Sequence, residues 1–367
     1  MMDTLTANAA PNAPAAGGIT FAFADYPATG TAMEVTDGIF WISTPVPFVA
    51  LKQVNLWLLR DGPGWTMIDC GYGKPAVREQ LMQVWSSVLG GRPITRLIVT
   101  HCHPDHAGNS GFIAEHWGLR PWMSQGEWLT ANLTCAENDA GTIAARERFY
   151  FRHGLSETQV GKFVAEVVPY KRGVALPPDY RRLHDGDSVS IGGDRWQVII
   201  GEGHSPEHVS LYCRERRILI AGDQILPTIT TNVSTWPGEP EFDAVGAFLA
   251  TCKKFLDLLD PETLILPSHR KPFFNVRYRL RELAVHHAER LNLILAEAGR
   301  ETSAGKLTDV LFKSGLDGHQ IGFAIGEIIA HLNHLVVLGR MQMVESRSQV
   351  RYRRITDDDA RVAPHFR

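Results

Sequence analysis

The sequence predicts an α/β layered fold, in which two β-sheets pack face to face with helices outside, followed by a small helical, winged-helix-like C-terminal domain. Three observations predict it. Short apolar runs of strand character alternate with helical spacing in two roughly matching halves. Several of those runs end in a polar residue, and after Pro272 the pattern turns almost wholly helical. With 367 residues, 44% hydrophobic and 21% charged, the chain has ample material for such a core.

Residues 1–20, rich in Ala, Pro, Gly and Asn, are expected to form a flexible tail. They have no basic n-region and no sustained apolar stretch, so they read as neither signal peptide nor membrane span. No other stretch is expected to approach transmembrane length, which predicts a soluble, cytoplasmic protein with no membrane partner. Residues 32–69 hold β-rich runs broken by Asp-Gly and Gly-Pro-Gly, a meander of hairpins. Residues 74–89 carry helical spacing (Val77, Leu81, Val84, Trp85, Val88) and stop at Gly90-Gly91. The strand ITRLIVT follows, then a helix near 110–117 and a short strand near 120–124.

Residues 126–175 read as helical, and β character returns with HDGDSVSIGGD, RWQVIIGEGH, VSLYCRERRILIAGD and TLILPSH. Beyond Pro272, VRYRLRELAVHHAERLNLILAEAG is a long amphipathic helix. Further helices and a strand pair near 344–354 complete the winged-helix-like part. The expected division is a tail over 1–20, one domain over 21–275 with a helical cap inserted over about 126–175, and a second domain over 276–367.

The stretch VTHCHPDHAG places His101, His103, Asp105 and His106 within six positions, directly after an apolar strand. Three imidazoles and a carboxylate so spaced make a poor core and an odd surface, and they suit a divalent metal. Partners stand at the ends of later apolar runs: His204 closes VIIGEGH, Asp223 closes ILIAGD and His269 closes LILPSH. Cys102, between two candidate ligands, turns away from them if the segment is extended and reads as packing. The five cysteines are odd in number and lack CxxC spacing, which fits reduced thiols. His286, His287, His331 and His334 lie mid-helix and read as packing or surface residues.

THCHPDH, GEGH, AGD and LPSH, in this order, resemble the metallo-β-lactamase superfamily over about residues 35–275. The resemblance implies an αββα sandwich with a binuclear site between sheet edges. One metal would take His101, His103 and His204, the other Asp105, His106 and His269, with Asp223 bridging. Asp69, in MIDCG, matches an acidic residue that orients a ligand histidine. Zinc suits this histidine-rich set, and iron and manganese accept the same ligands. A hydroxide held between the two ions would attack the substrate, with Asp105 among the catalytic groups. His208 is a candidate donor to a tetrahedral oxyanion or a loop histidine bonded to backbone. Ser268 stands where the family commonly has Gly, and Arg270 faces an anionic substrate or pairs at the surface.

An Asp at position 105 argues against β-lactam hydrolysis as the main role, and the layout resembles the hydroxyacylglutathione hydrolase branch. The expected activity is cleavage of an ester, thioester or lactone of a small acyl substrate, with Trp128, Phe149, Tyr150 and Phe151 lining an acyl pocket or packing in a core. The alternative is an endoribonuclease or nucleic-acid-binding protein using Arg347, Arg351, Arg353 and Arg354. A net charge of −3 disfavours it. A homodimer is compatible with the sequence.

Overall fold

The described chain opens with β1 (Thr20–Phe21), which pairs antiparallel with Phe273 and Phe274. The expected tail over 1–20 is therefore too long at its end, because the Asn275 amide also donates to the Gly18 carbonyl at 2.7 Å. The computed structural model describes residues 18–48, 51–136, 140–167, 173–312, 315–355 and 361–366. Most of the expected tail, residues 1–17, lies outside the described residues.

The first sheet runs in chain order: β2 (Ala32–Thr36), β3 (Ile39–Pro45), β4 (Gln53–Asp61), β5 (Gly64–Ile68), β6 (Ile94–Ile98), β7 (Trp122–Met123) and β8 (Arg181–Arg182). Its first four strands form the antiparallel meander, and β5 to β8 pair in parallel. In the second sheet β9 (Ser188–Ile191), β10 (Asp194–Gly201), β11 (His208–Cys213), β12 (Ile218–Gly222), β13 (Leu264–Pro267) and β14 (Phe273–Phe274) lie side by side, with β1 outermost.

The sheets face each other across a buried layer that includes Trp41, Trp57, Ile68, Ile98, Trp196, Val198 and Leu211. The outer face of the first sheet is covered by α1 (Pro75–Val88) and α3 (Ser110–Trp117), that of the second by α7 (Ala244–Leu258) and α8 (Val276–Glu297). Covered on both faces, β4 buries six consecutive residues from Val54 to Leu59, apolar except for Asn55, whose amide donates to the Pro267 carbonyl.

α7 lies in a stretch to which the sequence reading assigns no element. Its Asp243 side chain caps Gly246 N, and Val245, Phe248, Leu249, Cys252, Phe255 and Leu256 repeat at helical spacing.

The C-terminal part is α8, β15 (Glu301–Thr302), α9 (Ala304–Leu311), α10 (Gly318–Val337), β16 (Met341–Glu345) and β17 (Val350–Arg354), with the three strands ordered β15-β17-β16. α10 corrects one expectation, since it is 20 residues long and an 18-residue stretch of it has a mean hydropathy of 1.3, which by length and composition is enough to cross a membrane. Here it is the core of the domain, with 72% of that stretch buried.

The insertion forms α4 (Gln125–Ala136), α5 (Ala140–Arg152) and α6 (Glu157–Val167). Phe149, Tyr150, Val160 and Phe163 bury in one cluster with Leu291, Ile325, Ile329 and Tyr352 of the C-terminal part. α6 and α10 approach so closely at Gly322 that a Cβ there would collide with the Phe163 ring. The division into 21–275 and 276–367 therefore does not follow packing at α5 and α6. Of the two readings offered for Phe149 and Tyr150, acyl pocket or core, both rings take the core. Trp128 is buried and stacks on Tyr180 at 4.6 Å, while Phe151 lies on the surface.

Candidate metal centre

Each strand that feeds the site stops just before a ligand-type side chain. β5 ends at Ile68 and is followed by Asp69; β6 ends at Ile98, and Thr100 and His101 follow. Pro104 opens a one-turn helix, α2 (Pro104–Ala107), that carries Asp105 and His106. β10, β12 and β13 end ahead of His204, Asp223 and His269. A hydrogen-bonded strand end fixes the backbone, so the side chains converge from rigid positions.

Two groups form. The His101, His103, His204 and Asp223 ligand atoms lie within 4.8 Å of one another, as do those of Asp105, His106 and His269. His101 Nε2 is 2.9 Å from His103 Nδ1 and 3.2 Å from His204 Nε2. Asp223 spans the groups, with its carboxylate 3.7 Å from His204 Nε2, 3.6 Å from His106 Nε2 and 3.4 Å from His269 Nε2.

The outward nitrogens are tied. His204 Nδ1 donates to the Asn232 carbonyl and His269 Nδ1 to the Gln53 carbonyl, both at 2.8 Å. His106 Nδ1 meets Asp69 at 2.8 Å, and the other Asp69 oxygen accepts from Thr100 N at 2.7 Å. Such bonds fix the tautomer and leave each Nε2 lone pair facing inward.

Four buried inward atoms, Asp105 Oδ2, His106 Nε2, Asp223 Oδ1 and His269 Nε2, have no hydrogen-bond partner. Buried polar groups rarely go unmatched, so this convergence fits divalent cations. The electrostatics agree. Burial drives His101 well below its ordinary value and His103 down to about 3, each helped by neighbouring imidazoles. Burial also opposes charge on His106, but the carboxylates of Asp105, Asp223 and Asp69 outweigh it and push it up to about 9. The three histidines of the first group are thus held neutral, while carboxylates beside the second group favour positive charge on His106 and His269.

The model of the metallo-beta-lactamase superfamily matches residues 49–269, and that of the metallo-beta-lactamase-like C-terminal domain matches 291–355. The chain belongs to the metallo-β-lactamase superfamily. It is a hydrolase of that superfamily, and its clustered His and Asp residues suit divalent metals. A beta-lactamase domain protein from Burkholderia ambifaria is 39% identical with a TM-score of 0.84, covering 92% of this chain and 98% of its own. A metallo-beta-lactamase family protein from Thermus thermophilus is 28% identical with a TM-score of 0.75, covering 88% of this chain and all of its own. The human acyl-coenzyme A thioesterase MBLAC2 is 24% identical over 251 residues, 65% of this chain and 80% of its own.

Within this superfamily fold the two remaining site residues have their own surroundings. His208 is fully buried, and its Nε2 accepts from the Asp223 backbone N–H at 3.1 Å. Its ring lies against Gly222, where φ is +55° and a Cβ would collide with it. Of the two readings offered for His208, the bond to backbone is present on Nε2, while its Nδ1 is buried without a hydrogen-bond partner, and the residue opens β11 instead of lying in a loop. Arg270 is half-buried with φ +71°, and Asn55 donates to its carbonyl. The left-handed residue is thus Arg270, and Ser268 keeps ordinary geometry.

Glu127, unmarked in the sequence, is fully buried at the start of α4. Its carboxylate accepts from Cys102 N at 2.8 Å, Ser205 Oγ at 2.6 Å and Glu207 N at 2.8 Å. It clamps the 101–106 loop to the 204–208 loop. Cys102 is buried, its thiol pushed well up by burial and then by Glu127. Asn109 similarly donates to the Cys70 and Tyr72 carbonyls.

Proposed function

We propose that the protein hydrolyses a thioester, or a related ester or lactone, of a small acyl compound, using two zinc ions. The observation that carries the reading is the convergence of four buried, unpartnered atoms between two histidine groups. The thioester preference rests on the relationship to the MBLAC2 thioesterases. His101, His103 and His204 would hold one ion, Asp105, His106 and His269 the other, with Asp223 between them. When bound, the ions supply Lewis acidity and an activated water.

The chain's own part is positional. The Asn232 and Gln53 carbonyls and Asp69 hold His204, His269 and His106 in one tautomer, so no reorientation precedes reaction. Asp223 and Asp105 bring negative charge between the imidazoles. A nucleic-acid role draws less support, since Arg353 is bonded to Glu301 at 3.2 Å and Arg351 to Gln349 at 3.1 Å.

The test is elemental analysis of the purified protein with a panel of thioester, lactone and phosphodiester substrates. Two metals per chain and thioester turnover are expected. A stoichiometry near one, unchanged in Asp223→Ala, or turnover confined to phosphodiesters, would overturn the reading.

A further inference from the structure

Each of three histidines around the cleft is oriented by a segment that also carries an aromatic ring. Asp69, which holds His106, is followed three residues on by Tyr72. Gln53, whose carbonyl holds His269, follows Phe48 by five residues, and Asn232, whose carbonyl holds His204, precedes Trp236 by four.

These three rings meet one another or the first turns of α10. Phe48 packs edge-on against Tyr72 and against His319, both at 5.9 Å between centroids. Trp236 packs against Phe323 at 6.5 Å. His319 and Phe323 are one helical turn apart on the same face of α10. The helix is held there by the Thr235 N–H, which donates to the Gly326 carbonyl at 3.1 Å.

Tyr72, Phe48, His319, Phe323 and Trp236 thus form an arc beside the metal centre, two of its rings supplied by the C-terminal domain. Phe323 is 45% exposed and Trp236 37%, unusual for rings that serve only as core.

The chemistry of the arc selects its occupant. Residues 46–48, 224–236 and 318–326 contain no Asp, Glu, Lys or Arg. Lys74 lies 5.4 Å over the Tyr72 ring, so a polar or charged group is matched at that end, whereas along the uncharged segments an alkyl chain gains by leaving water.

We infer that the arc is the subsite for an uncharged, extended acyl chain, its far end seated on Phe323 and Trp236. This rests on the hydrolase reading above and narrows it to medium or long acyl groups.

The test is kcat/KM for straight-chain N-acetylcysteamine thioesters from acetyl to decanoyl, in the wild type and in Phe323→Ala and Trp236→Ala. Both side chains are partly exposed, and metal content checks that the variants keep the centre. A preference rising with length, up to roughly three- to fourfold per methylene, is expected. The decanoyl-to-acetyl ratio should fall at least tenfold in each variant. A flat wild-type series, or a ratio unchanged in both variants, would overturn the inference. Should the wild type cleave no thioester, calorimetry with the S-decyl and S-ethyl thioethers of N-acetylcysteamine separates the two ideas. Decyl binding at least tenfold tighter than ethyl, lost in Phe323→Ala, keeps the subsite while rejecting the bond class. Equal binding rejects the subsite.

Discussion

Two sets of histidines are buried in this protein, and they differ in what their nitrogens face. Around the cleft the outward nitrogens of His106, His204 and His269 are tied to Asp69, Asn232 and Gln53, so the inward ones converge. In the seam between α7, α8 and α10 the rings bond serially instead. His331 Nδ1 donates to the Glu327 carbonyl at 2.7 Å, so its Nε2 accepts from His287 Nδ1 at 3.0 Å. His334 donates to Asp243, the cap of α7, at 3.0 Å. Burial is similar in the two sets. Convergence of lone pairs separates a candidate metal centre from histidines that join helices.

The largest effect expected from breaking this distinction is at Asp223, the residue between both groups. Asp223→Ala should lower activity by more than the about 10–100-fold typical of losing an outer partner, and should cut metal content. Rates and elemental analysis on one preparation check this, and full activity with two metals would place the centre elsewhere. Next comes Glu127, which touches no converging nitrogen. Glu127→Ala leaves the Cys102 and Glu207 amides without their acceptor and should cost about 10–100-fold in metal affinity. A chelator competition measures it, and Glu127→Gln should recover only part, because its amide N–H₂ cannot accept.

In the seam the expected signs change. His287→Phe removes a buried donor and should cost about 1–3 kcal/mol of stability. Metal content should stay the same, so a variant that lost metal in proportion would erase the distinction. The smallest effect is a slope. Burial, with Arg290 and neighbouring histidines, pushes His331 down to about 3 against the pull of the Glu327 carbonyl. The unfolded chain protonates near the ordinary value of about 6.5, before the folded one does. The stability from keeping His331 neutral is therefore present above that pH and is lost as pH falls from there toward 3. The loss is at most about 1.4 kcal/mol per pH unit. Denaturant melts of His331→Asn and wild type between pH 7 and 5 should converge on acidification, and parallel curves would refute the assignment.

Much of the centre was legible because it is written in side chains at strand ends: HxHxDH, then His204, Asp223 and His269, each after an apolar run. The residues that orient them were less so. Gln53 and Asn232 act through carbonyls, which every residue type possesses, so no letter marks them. Glu127 resembles any helix-opening glutamate until the fold brings the 101–106 and 204–208 loops to it. The sandwich followed from strand patterning. The docking of α5 and α6 onto α10 did not, since periodicity reveals that a helix has an apolar face but not which face it meets.

Arg279 of α8, almost fully buried, donates to the Leu226 and Ile229 carbonyls at 2.6 and 2.8 Å, and Gly326 of α10 holds Thr235. The loop that leaves Asp223 and returns to orient His204 is thus braced by the last third of the polypeptide. Both braces lie after His269 in the chain, so they are translated later than every ligand-type residue. The ligand set is therefore complete in composition well before it is complete in shape. A chain cut short of α10 would carry all seven side chains while the loop between two of them lacked its Gly326 contact.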